Sequence, residues 1–106
     1  MKANELRIGN YVHLNGKVVR IKSGKDIDKY SANPEVEPIP LTDEWIKKLG
    51  IEDGILDGNM SISKSHACNF YCLYHNDEFT GTRYIKYVNT LQNLYFELTG
   101  EELELL

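Results

Sequence analysis

His66, Cys68, Cys72 and His75 are the side chains of this chain best suited to hold a metal ion. Thiolate and imidazole are the donors zinc prefers, and a closed tetrahedral site takes four of them. The spacing argues otherwise: it is not that of small zinc sites, and an extended strand would spread the four over roughly 30 Å at ~3.3 Å per residue. The expectation is therefore no metal and no cofactor, with Cys68 and Cys72 acting as small buried hydrophobes on a core-facing strand. A cysteine nucleophile would need a histidine base beside it, and His13, His66 and His75 are available, but no sequence feature pairs them. Asp26 with Asp28, and Asp77 with Glu78, fall in turn-like, solvated contexts where perturbed acid–base chemistry is not expected. No phosphate loop, nucleophile elbow or His-Glu-x-x-His motif is present. The residues point away from an enzyme.

Anion binding has a better case. Arg20, Lys22, Lys25 and Lys29 lie close in sequence, and a hairpin through this region would set Tyr11 opposite Arg20, where an aromatic ring can stack on a base. A nucleic-acid partner is disfavoured by the net charge of −4, because phosphate neutralisation dominates such affinities. A small anionic nucleotide asks for less, and Tyr11, Arg20, Lys22 and Arg83 are its candidate ligands. Charge is also uneven: residues 1–30 hold seven bases against three acids, whereas Glu97, Glu101, Glu102 and Glu104 close the chain without a base. Such asymmetry can orient a head-to-tail partner, attract an anion, or simply be a solvated surface.

These side chains must be positioned by elements that the sequence punctuates clearly. Residues 8–22 read as a β-hairpin about Asn15-Gly16, a pair suited to the positive φ angles of a type I′ turn. That turn pairs Val12 with Val19, Leu14 with Lys17 and Tyr11 with Arg20. Gly9-Asn10 before it resembles the start of small SH3-like barrels. Residues 23–40 read as loop, because Asn33-Pro34 and Pro38-Ile39-Pro40 exclude regular helix or a central strand. A short helix follows, capped by Thr42, with Asp43 and Glu44 in its first turn and Gly50 as its stop. Leu41 can staple to Ile46 and Ile51 can pack back on it, leaving Trp45 and Leu49 for the core.

Two strands, residues 59–63 and 67–74, come next, and a third occupies residues 82–87. In the second, Cys68, Phe70, Cys72 and Tyr74 share one face and Asn69, Tyr71 and Leu73 the other. The last element is an amphipathic helix from Val88, stopped by Thr99-Gly100. Val88, Leu91, Leu94, Tyr95 and Leu98 form its apolar side, and Lys86, Asn89, Thr90, Asn93 and Glu97 its polar side. Adding Gln92 and Phe96 widens the apolar arc to roughly 200°, beyond the ~100° that one sheet face needs. Either a second element covers Phe96 or another molecule does, which makes Gln92 and Phe96 candidate contacts for a partner or a second copy.

At 106 residues, 42% hydrophobic and 26% charged, the chain has the size and composition of one globular domain, 1–106. It shows neither a membrane span nor a secretory signal, and the cytoplasm is the default location. The elements together predict an α+β fold: an N-terminal hairpin, a short capped helix, an antiparallel meander, and the C-terminal helix packed on the sheet.

Three segments also carry a resemblance. They are Met1-Lys2-Ala3-Asn4-Glu5-Leu6-Arg7-Ile8-Gly9-Asn10-Tyr11-Val12, then Pro38-Ile39-Pro40-Leu41-Thr42-Asp43-Glu44-Trp45, and Ile85-Lys86-Tyr87-Val88 through Leu91-Gln92-Asn93-Leu94-Tyr95-Phe96 to Leu98-Thr99-Gly100-Glu101-Glu102-Leu103. In that order they resemble a family of small uncharacterised proteins from phages, prophages and conjugative elements of Bacteroides-type bacteria, over about half the chain. The stretch 54–80 is outside the resemblance. What it implies is a mobile-element origin with no assigned activity, catalytic residue or cofactor. By analogy with other phage accessory proteins, the expected role is binding: to a host protein, to a nucleotide signal of host defence, or to further copies of itself.

Overall fold

A computed structural model of the chain describes residues 6–51, 55–57, 60–64, 71–75, 78–79 and 85–105. In chain order the elements are β1 (Tyr11–Leu14), β2 (Lys17–Arg20), α1 (Gly24–Ser31), β3 (Val36–Pro38), α2 (Asp43–Lys48), β4 (Ile55–Asp57), β5 (Met60–Lys64), β6 (Tyr71–His75), β7 (Glu78–Phe79) and α3 (Val88–Thr99). The fold is α+β, and the chain divides into two compact units. Among the described residues no helix is long and apolar enough to cross a membrane.

The first unit, Met1–Pro40 with Tyr87–Glu104, is built on a three-stranded sheet of order β2-β1-β3. Asn15 and Gly16 turn the hairpin at φ 52° and 80°, and its register pairs Tyr11 with Arg20, Val12 with Val19 and Leu14 with Lys17. Those are the expected pairs. Val12, Leu6, Ile21 and Val36 are buried together, with Leu14, Val19, Ile27 and Tyr30 packed against them. Successive strand side chains alternate in direction, so Tyr11 points to the opposite side of the sheet from Val12. α3 packs against β1.

Residues 23–40 are not the expected loop. They hold α1 and β3, and the prolines define the boundaries of these elements. Ser23 caps α1: its Oγ accepts from Asp26 N at 3.4 Å, while Asp26 Oδ2 accepts from Lys22 N at 2.9 Å. This Ser-x-x-Asp pair is close to a capping box. Ile27 and Tyr30, three apart, then face the core. Asn33 turns the chain by accepting from Glu35 N at 2.9 Å, and β3 joins antiparallel to β1 as an edge strand, a position in which Pro38 is tolerated.

α3 is also turned relative to its hydrophobic stripe. Val88, Asn89, Leu91, Gln92 and Tyr95 are buried, whereas Leu98 is 49% exposed. At ~100° per residue the buried face is thus rotated by roughly 60° toward Gln92. Val88 N donates to Ile39 O at 2.9 Å, a backbone substitute for a side-chain cap, and Gly100 closes the helix at φ 75°.

The second unit, Leu41–Lys86 with Leu105–Leu106, carries α2 and an antiparallel sheet of order β4-β5-β6-β7. Thr42 caps α2 by accepting from Trp45 N at 3.2 Å, Gly50 turns left-handed at φ 81°, and Ile51 N returns to Ile46 O. Leu41, Trp45, Ile46, Leu49 and Ile51 are buried, as the punctuation predicts. In β6 it is Tyr71 and Leu73 that are buried, while Cys72 and Tyr74 are half-exposed. The expected inward face of this strand was therefore the wrong one: the larger Tyr71 and Leu73 bury more apolar area than a thiol does. The described part of the expected third strand forms bridges at Ile85, to Tyr71, and at Tyr87, to Pro40.

Candidate functional site

A polar clamp organises one side of the first unit. Gln92, expected to point outward, is completely buried. Tyr11 N donates to its Oε1 at 2.9 Å, and its Nε2 donates to Gly9 O at 2.9 Å and Leu103 O at 3.0 Å. One amide thus ties α3 to the N-terminal segment and to the C-terminal tail. Asn93 Oδ1 accepts from Asn10 Nδ2 at 2.8 Å and from Arg7 Nε at 3.2 Å. Arg7 also forms a two-point ion pair with Glu102, and its guanidinium lies 4.2 Å from the centre of the Phe96 ring. A cation held over an aromatic face is favourable. The second element that covers Phe96 is therefore Arg7, although the ring remains 39% exposed.

The proposed anion ligands are arranged differently. Tyr11 is buried, and Arg20 lies over its ring at 5.3 Å. Arg20 also pairs with Glu104 at 2.9 Å, a bond that raises the guanidinium pKa further above its ordinary value. Ring and cation serve each other. Lys22 is exposed, at the cap of α1. Arg83 lies outside the described residues, as do His66 and Cys68, so neither the four-ligand cluster nor the Arg83 contribution falls within the structure. The uneven charge of the sequence is partly neutralised internally, through Arg7–Glu102 and Arg20–Glu104.

An open groove of about 440 Å³ runs beside α3. Pro38, Tyr87 and Leu94 supply its apolar wall, and Asn89, Thr90, Asn93 and Glu97 its polar one. Thr90, Asn93, Leu94 and Glu97 recur at helical spacing, so the groove follows the flank of α3 away from Leu91 and Tyr95. Glu97 is the only charged side chain in α3, whose last turn contains no base. The negative end of the helix dipole therefore reinforces this carboxylate. The helix signal in the sequence contained this face, as the polar side of the wheel. Nothing in it shows that Pro38 joins the lining, because that depends on how β3 joins the sheet. Comparison with known protein families, with curated proteins and with solved structures gives no match for this chain.

Proposed function

We propose that this chain is an accessory protein of a mobile genetic element that acts by non-catalytic binding, with the groove beside α3 as its binding surface. The lining carries the reading: apolar side chains next to amides, a hydroxyl and one carboxylate form the mixed surface by which pockets fix the orientation of a bound group. The polar clamp supports it by tying the interior of α3, through Gln92, to the N-terminal segment and the C-terminal tail, which pre-organises the flank that lines the groove. A host defence component, or a further copy of this chain, is the class of partner that such a role implies. An anionic nucleotide is the weaker reading, because Arg20 would have to leave Glu104 and Tyr11 to meet it.

Two measurements test the proposal. Native mass spectrometry of the protein taken from its host cell reports tightly held partners, and light scattering up to about millimolar concentration registers contacts worth only ~4 kcal/mol. A retained partner or a second copy is expected for the wild type and loss of it for Thr90→Arg, which fills the groove. A bare 12.2 kDa chain in both measurements would overturn the binding role.

A further inference from the structure

We infer that the groove receives the β-hairpin tip of a second copy of this chain, with Lys17 placed against Glu97 and Val18 against the apolar wall. The inference rests on the groove being a binding surface, and names its occupant. The groove asks for two things: an aliphatic side chain to cover Pro38, Tyr87 and Leu94, and a cation for Glu97 at the dipole's negative end. Among the described residues the large exposed hydrophobics are Ile8, Val18, Tyr87, Phe96 and Leu98. Tyr87 lines the groove itself, Arg7 lies over the Phe96 ring, and Leu98 follows Glu97 in a helix turn that contains no base. Ile8 follows Arg7, whose charge is taken by Glu102 and Phe96.

Val18 remains, 46% exposed and next to Lys17, which is exposed and makes no ion pair among the described residues. β2 is moreover the outer strand of its sheet. An outer strand presents backbone donors and acceptors on its free edge, and the Thr90 hydroxyl in the groove can bond to either type. Because hairpin and groove are different surfaces, the contact is heterologous: each copy gives one and receives one, and growth ends only if the rotation closes a ring.

Charge exchange tests this directly. Lys17→Glu and Glu97→Lys leave the fold intact, since both positions are exposed and a base suits the last turn of a helix; circular dichroism checks this. The contact is small, so sedimentation of the full chain is followed to roughly millimolar concentration. Each variant alone should self-associate at least ~5-fold more weakly than wild type, because like charges then meet. An equimolar mixture should recover association to within about twofold, since both of its junctions again join opposite charges. A wild type that stays monomeric, variants that associate like wild type, or a mixture that fails to recover would each overturn the inference. A complex with some other partner that Thr90→Arg abolishes would retain the binding role and still remove the hairpin as occupant.

Discussion

Gln92 shows how one side chain can organise a unit. A buried amide with both ends satisfied adds modest net stability, but replacing it leaves its partners buried and unpaired. Gln92→Leu keeps similar bulk and strands Tyr11 N–H and the carbonyls of Gly9 and Leu103. The expected loss is about 3 kcal/mol or more, at 1–3 kcal/mol per stranded group, measured by urea denaturation. Gly9 is constrained twice. Its φ of +102° strains any L side chain, and a Cβ there would lie 2.8 Å from Glu102 Oε2. Gly9→Ala should therefore cost roughly 1–3 kcal/mol and displace Glu102 from Arg7. If Glu102→Ala were made first, the steric part of that cost should fall while the backbone part remains, which a double-mutant cycle separates.

Among the elements, α1 is the most dependent on its ends. It has eight residues, none of them fully buried, and isolated helices shorter than ~12 residues are marginal in water. Its persistence rests on Ile27 and Tyr30 reaching the core and on the Ser23–Asp26 cap. Ser23→Ala should cost about 1 kcal/mol and raise amide hydrogen exchange across α1 before the rest of the unit is affected. Uniform exchange across the unit in the variant would show that the helix does not open on its own. α3 is the contrasting case, since Val88, Leu91, Gln92 and Tyr95 anchor it from its first residue to the start of its last turn.

At the scale of the whole molecule, pH dependence should reveal a buried phenol. Tyr71 in the second unit donates to Asp43 Oδ1, and burial first, then this bond, raise its pKa from 10.0 to about 12. Between these values an unfolded chain has lost a proton that the fold retains. The stability contributed by Tyr71 is therefore complete below pH 10 and is lost as the pH rises toward 12. Tyr71→Phe should destabilise by about 1 kcal/mol at pH 8, and the gap between variant and wild type should narrow at pH 11. Denaturant melts at both values measure it, and a constant gap would contradict the shift.

The α+β class, the hairpin register, the caps of α2 and the stop of α3 were legible in the sequence because each depends on residues a few positions apart. Asn15-Gly16, Thr42 with Trp45 N–H, and Gly100 act locally. The Ser23-x-x-Asp26 cap is equally local, yet the loop reading of residues 23–40 rests on the prolines alone and takes no account of it. What the tertiary structure alone decided is which polar groups are inside. A helical wheel ranks Gln92 by its neighbours on the same helix, whereas its burial is set by Gly9 and Tyr11, far along the chain, and by Leu103 beyond the helix end. Charge follows the same rule: the basic start and acidic end of the sequence are compatible with a partner, an anion or a solvated surface, and the structure joins them in part through Arg7–Glu102 and Arg20–Glu104. Periodicity fixes which residues share a face; only long-range pairing determines what that face meets.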